Sequence, residues 1–341
     1  MVDMAPIEED PLQPPPPEPA YFDRAQEVWV LSRYADVAAA FRERYLWPVG
    51  TRLRNRSEIG DEAAQARLRG DLQAALAPAN LAQWESQSTA LAREIARALP
   101  ADRDVDLVSE FAVPWSLSVA TMVTGAGSCH ALEMAELARI VSAASAEPYD
   151  DDLQVAKSFA EPKLAQYFQG SKMPMAAPAF VALSHTVPCL VADMWLALLR
   201  HRQETDRLRS DETMWPSAIE ELLRYAGLAR MLFRQAMAEV AIGPVTIAEG
   251  GHVVLRVASA NRDPEQFAEP NRLDLGRKPA GQLSLGAGGH SCAGAALTRM
   301  AVTAAIRAFV EELSGAELRG EIEWRGGSGF RSPKVLWVRR P

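Results

Sequence analysis

The sequence predicts a mainly α protein with a smaller β part, and three observations lead there. Apolar positions recur at helical spacing through long stretches, of which residues 83–99, 107–123, 177–200 and 295–309 are the clearest. Alternation of the strand type is confined to short regions at residues 27–31, 240–255 and 319–339. A glycine-rich run, Leu285-Gly286-Ala287-Gly288-Gly289-His290-Ser291-Cys292-Ala293-Gly294, passes straight into the last of the apolar helical patterns.

Taken in order, residues 11–18 form a proline-rich extended lead-in, the end of an N-terminal segment assigned to residues 1–20. A single domain is expected from 21 to 341. It opens with a short strand ending at Leu31 and a helix from Asp36 to about Arg44. Helical stretches follow from Asp61 to Ala77 and from Gln83 to Leu99, then from Leu107 to Val123 with Pro114 as a candidate break. Residues 131–146 and 151–168 are helical in pattern, and Ala177 to Arg200 reads as a long apolar helix interrupted by Pro188. Gly243-Pro244 and Gly250-Gly251 punctuate the strand region as turns. Residues 319–339 read as a terminal hairpin.

Composition bounds the function. The chain has 341 residues, 48% of them hydrophobic and 23% charged, enough for a large core. A formal net charge of -8 with no basic tract argues against nucleic acid as a partner. The start, Met1-Val2-Asp3-Met4, lacks the basic region of a secretory signal, and no long uncharged apolar run stands out, so neither export nor a membrane anchor is expected. Three cysteines, Cys129, Cys189 and Cys292, show no metal-knuckle spacing, and their odd number suits a reducing cytoplasm. Gly286-Ala287-Gly288 begins like a dinucleotide-binding fingerprint, but Ser291 stands where the last glycine belongs, and no strand precedes it.

The cysteine loop carries the chemistry. Glycines before a helix let backbone approach a flat ligand closely. Free N–H groups at a helix start favour an anion and lower a thiol's pKa, which a thiolate ligand requires. A structural cysteine in a glycine-rich turn is the plainer alternative. The run resembles the haem-ligand loop of the cytochrome P450 family, F-G-x-G-x-H-x-C-x-G, with Leu285 in place of the phenylalanine. Two further segments resemble the same family in the same order. Glu221 and Arg224 form its E-x-x-R, three apart and so on one helix face. Residues 260–274 resemble the stretch in which Arg272 joins that pair in a buried network. The start of the domain is similar to that of soluble bacterial members.

The resemblance implies a cytochrome P450-like fold enclosing haem b (iron protoporphyrin IX) between a long distal helix and the cysteine-bearing proximal loop and helix. Cys292 is then the axial ligand to iron, with Gly286 and Gly294 shaping its loop. Leu285 keeps an apolar shield but loses an aromatic ring, a change expected to shift the redox potential. His290, Arg234, Arg69 and Gln65 match residues that hold the haem propionates. On the distal helix the family's A-G-x-[DE]-T falls on Ala182-Leu183-Ser184-His185-Thr186. Thr186 matches the oxygen-site threonine, and His185 replaces the proton-relaying acid, a substitution a histidine can serve near neutral pH. Local alternatives stand for both, since helical threonines back-bond to carbonyls and lone histidines often belong to the core.

The implied activity is that of a haem-thiolate monooxygenase inserting one oxygen atom into an organic, secondary-metabolite substrate, small or carrier-bound. Electrons would come from a separate ferredoxin-type donor docking near Arg67, Arg277 and Arg299. A peroxide-using enzyme, an oxidative coupling or rearrangement catalyst, and a non-catalytic haem-binding protein are the alternatives. Segments after Arg44 and after Phe168 look shorter than in most members, which implies a pocket of unusual shape.

Overall fold

The structure, a computed structural model, describes residues 12–50, 70–278 and 281–340. The chain begins with β1 (Tyr21–Asp23), β2 (Val28–Leu31), α1 (Tyr34–Arg42) and β3 (Leu46–Pro48). Then come α2 (Pro78–Ala98), β4 (Val105–Asp106), a π-helical turn over Val108–Ala112 and α3 (Val113–Thr124). Next are α4 (Ala131–Ala146), α5 (Asp151–Gln166), α6 (Ala176–Val181), a second π-helical turn over Ala182–Thr186, and α7 (Val187–Arg200). After α8 (Arg202–Ser210) and α9 (Trp215–Tyr225) the chain enters its β-rich part: β5 (Leu232–Ala236), β6 (Val240–Ile242), β7 (Val245–Ile247), β8 (His252–Leu255) and the short α10 (Val257–Ala260). The cysteine loop leads into α11 (Ala295–Glu312), followed by β9 (Glu317–Leu318), β10 (Trp324–Arg325), β11 (Ser332–Pro333) and β12 (Trp337–Arg339).

The expected mainly helical architecture is therefore present, with physical reasons visible at several ends. Pro114 does not break a helix; it occupies the first turn of α3, where its missing N–H costs nothing. The same helix stops at Gly125, whose φ of 70° is left-handed. Asp150 caps α5 by accepting the Leu153 N–H at 2.9 Å.

All residues of α7 from Val187 to Leu199 are buried, so this helix is the axis of the large core. Trp195 lies between Phe111 and Phe309, with ring centroids at 4.7 and 5.8 Å. The stretch Ala176–Arg200 is long and apolar enough to cross a membrane, contrary to the sequence reading. However, 78% of its most apolar window is buried against protein, the signature of a core helix.

The interruption of that stretch lies one turn before Pro188 and has a donor-counting explanation. The Val187 N–H bonds Ala182 O, five residues back. The Leu183 carbonyl thereby loses its usual α-helical donor, and its π-helical donor would be Pro188, which has no N–H. Ser116 on α3 repairs the loss by donating its hydroxyl to Leu183 O inside the core. Ser116→Ala is expected to leave that carbonyl unpaired and to destabilise the protein by about 1–3 kcal/mol in chemical denaturation. A change below about 0.5 kcal/mol would show that another group satisfies it.

A five-stranded sheet, ordered β1-β2-β8-β5-β3, flanks α1. Only the β2–β8 pair is parallel. The predicted terminal hairpin is present as two nested antiparallel pairings, β9 with β12 and β10 with β11, linked by the Arg319 N–H to the Trp337 carbonyl and the Lys334 N–H to the Glu323 carbonyl. β10 pairs with β11, while β12 lies between β4 and β9. Short-range turn signals could not reveal that the end of the chain pairs with residues 105–106. The lead-in is tied down from residue 12: Leu12 is buried in the large core, and Arg262 donates to its carbonyl at 2.9 Å.

Candidate active site

The cysteine loop is built as its glycines require. Gly286 has φ +68°, and a Cβ there would stand 2.5 Å from the His290 carbonyl oxygen. Gly288 has φ +59°, and a Cβ would come 2.8 Å from Arg42 on α1. Both positions thus exclude side chains, by conformation and by space. Inside this turn the Cys292 N–H donates to Leu285 O at 2.7 Å. Leu285 itself is half-buried and packs on the large core. Gly294 keeps the space beside the sulfur open, since a Cβ there would lie 4.0 Å from Sγ.

Cys292 is an exposed residue, yet protein surrounds it closely enough for burial to act on its thiol. Burial is the largest influence and raises the thiol pKa; the Gly294 N–H and the Arg299 charge pull it down without prevailing. The helix-start effect expected from the sequence is therefore present but outweighed. A coordinated metal ion deprotonates such a thiol outright.

Beside the loop stands a buried cation with no anion. Arg234 on β5 is 8% exposed, and among the described residues its guanidinium donates only to the Phe233 carbonyl, at 3.0 Å. Burial lowers its pKa to about 10, so it remains charged at neutral pH. It lies close enough to His290 to depress the imidazole pKa, a smaller cause than burial. His290 also meets the Glu43 carbonyl at 3.2 Å and the edge of Trp47. A buried guanidinium next to an imidazole, both short of acidic partners, suits a carboxylate ligand. A porphyrin with two propionates fits this donor set, with Cys292 in the same loop as His290. Gln65, Arg67 and Arg69 lie outside the described residues.

The Glu221–Arg224 pair on α9 is buried, each side chain 2% exposed, with bonds of 2.7 and 2.8 Å. Its third member corrects the sequence reading. Arg277, not Arg272, donates to Glu221, at 3.0 Å. The Arg272 side chain is 58% exposed and turns to Glu269, while its backbone carbonyl accepts from Arg224 and Arg277. A motif count places a residue on the chain but does not decide which neighbouring arginine turns inward. The same fact removes Arg277 from a docking surface, because its donors are taken by Glu221 and by the carbonyls of Ala268, Glu269 and Arg272. Arg299 is paired with Glu220.

His185 and Thr186 come together on the second π turn. They line a cavity of about 250 Å³ with Ser142, Glu147, Arg139, Arg325 and Phe330. The Thr186 hydroxyl lies 3.4 Å from that of Ser142 on α4, in place of a back-bond to its own helix. Sequence reasoning missed Ser142, Arg139 and Arg325, which come from distant parts of the chain and carry no local signal.

The proton role given to His185 changes. Burial first, then the charges of Arg325 and Arg139, drive its pKa down to about 4, against a smaller opposing pull from Glu136. Glu147 and Cys189 also line this cavity. At neutral pH the imidazole is uncharged, so it can pass a proton between its two nitrogens but holds none in store. With a folded pKa near 4 and an unfolded value near 6.5, the unfolded chain binds the proton first. Above pH 6.5 this group has no effect. As pH falls from 6.5 towards 4 it removes stability, up to about 3 kcal/mol. His185→Gln is expected to flatten that acid limb in pH-dependent unfolding; an unchanged slope would show that His185 is solvated.

Comparison with known proteins agrees with this arrangement. The family model described as Cytochrome P450 matches residues 197–320, which contain the Glu221–Arg224 pair and the cysteine loop. Over these residues the chain is similar to the cytochrome P450 family. Cytochrome P450 107B1 of Saccharopolyspora erythraea is 28% identical over 365 residues, covering 92% of this chain and 89% of that protein. Putative cytochrome P450 YjiB of Bacillus subtilis is 26% identical over 336 residues, covering 85% and 84%. Among solved structures, P450BioI in complex with hexadec-9Z-enoic acid ligated acyl carrier protein superposes with a TM-score of 0.83 at 20% identity, over 95% of each chain. The fold is thus that of a cytochrome P450.

Proposed function

We propose that this cytochrome P450 binds haem b through Cys292 and inserts one oxygen atom from dioxygen into a small organic substrate held beside the π turn of residues 182–186. The observation that carries this reading is the pairing of an exposed Cys292 with a buried Arg234 that has no anion among the described residues and lies beside His290. When bound, the haem supplies oxygen activation, promoted by electron donation from a thiolate. The chain's residues do the rest. Cys292 offers the sulfur; Gly286 and Gly288 admit a flat ligand close to backbone. Arg234 and His290 would hold propionates. Arg224, Glu221 and Arg277 brace the segment before the loop and take no part in the chemistry. Leu285 keeps the proximal side apolar.

On the opposite side Thr186 and Ser142 form a hydroxyl pair able to guide a proton from the cavity, and neutral His185 can relay one. A separate ferredoxin-type protein is proposed as electron donor. Its docking cannot use Arg277, whose donors are occupied within the fold. The experiment is a haem titration of the purified protein followed by the spectrum of its reduced carbon monoxide adduct. A stoichiometric complex with the long-wavelength Soret band of a thiolate ligand is the expected result. Haem binding with only the shorter-wavelength band would shift the reading to a haem protein without a thiolate bond.

A further inference from the structure

The cavity beside the π turn contains a cation that no carboxylate pairs with directly among the described residues. Arg325 on β10 lines this cavity and acts electrostatically on both His185 and Cys189 across it. Among the described residues its guanidinium has no ion pair and no hydrogen bond. The acids near it are committed elsewhere. Glu136 holds Arg139 through both carboxylate oxygens, at 2.7 and 2.9 Å. Glu147 lines the cavity, but its Oε1 accepts the backbone N–H groups of Ser328 and Gly329, at 2.5 and 3.0 Å. Glu147 therefore pins the loop next to Arg325 and leaves Arg325 itself free.

Arg325 is half-buried and holds no acid among the described residues, so an anion entering the cavity would find a guanidinium ready to pair with it. Leu153, Leu228 and Phe330 make part of the wall apolar, beside the polar groups of Ser142, His185, Thr186 and Ser332. We infer that this cavity selects a small organic carboxylate, its anionic end on the Arg325 guanidinium and its apolar body along the wall beside His185 and Thr186. The inference rests on the reading of this cavity as the substrate site of the enzyme. A carboxylate matches the planar donor fork of one arginine. A dianionic phosphate would place a second negative charge against Glu147. At about 250 Å³ the cavity is below the range of about 300–1,000 Å³ usual for drug-sized ligands, so the body is small. Anchoring one end also fixes which carbons reach Thr186, so Arg325 would set the position of oxidation.

The test is isothermal titration calorimetry of the haem-loaded full-length protein with sodium octanoate, 1-octanol and octylammonium. Octanoate is expected to bind at least about tenfold more tightly than octanol, and octylammonium least well, in keeping with a charge-assisted contact. Arg325→Gln should remove the preference for octanoate over octanol, and Arg325→Lys should restore part of it. Arg139→Gln should change it less, because Arg139 already has its acid. Thermal melts of each variant establish that it is folded. Equal affinity for octanoate and octanol, a preference for octylammonium, or a preference that survives Arg325→Gln would overturn the inference. The reduced carbon monoxide spectrum of the same preparations separates the two readings. A thiolate band without carboxylate preference removes only this inference; a preference without the band removes only the haem-thiolate reading.

Discussion

Cys292→Ser is expected to abolish the long-wavelength Soret band of the reduced carbon monoxide adduct and to lower turnover by at least roughly 100-fold. The thiolate is the ligand that donates electron density, and a serine hydroxyl at the same place is neither soft nor readily ionised. The loop would survive the change. Its geometry is set by Gly286, Gly288 and the Cys292 N–H to Leu285 O bond, none of which uses the sulfur. Haem should therefore still bind, held by Arg234 and His290, with an altered spectrum. Cys129→Ser is the control, since that cysteine is exposed and lies outside the loop. A band that persists in Cys292→Ser would remove Cys292 as the ligand.

Glu221→Gln is expected to destabilise the fold by about 3–5 kcal/mol, the cost of breaking a buried ion pair from one side. Glu221 accepts from Arg224 at 2.7 and 2.8 Å, from Arg277 at 3.0 Å and from the Asp274 N–H at 3.1 Å. A neutral amide would leave the buried Arg224 guanidinium without a counter-charge and would turn a donor towards groups that themselves donate. Chemical denaturation monitored by tryptophan fluorescence measures the loss. Arg272→Ala is the informative companion. Its side chain is exposed and, among the described residues, pairs only with Glu269, so a change within about 0.5 kcal/mol is expected. Equal losses from the two substitutions would mean that Arg272, and not Arg277, completes the network.

These two predictions show how unevenly the site was written in the chain. The cysteine loop was readable because its constraints are local. Glycine conformations, the cysteine and the helix that follows all lie within about ten residues, and the physics of a turn operates at that range. Glu221 and Arg224 were readable as a pair for the same reason, being one helical turn apart. Arg272 failed as their partner because Arg277, five residues further on, competes for the same carboxylate, and only the path of the irregular chain between them decides which enters. His185 was read as a proton shuttle from its identity alone. Its burial and the charges of Arg139 and Arg325, brought in from α4 and β10, hold the imidazole neutral instead.

By itself the sequence determined a mainly helical fold and a glycine-rich turn that presents Cys292 just ahead of a helix, because helical periodicity and turn chemistry are short-range properties. Tertiary structure alone decided what surrounds the reaction. The π turn depends on Pro188 and on a hydroxyl that Ser116 contributes from another helix. The distal cavity gathers Ser142, His185, Thr186 and Arg325 from segments more than 180 positions apart, counting from 142 to 325. Charge and burial act through space, so the state of an imidazole or the preference of a cavity is fixed only when the chain has closed around it.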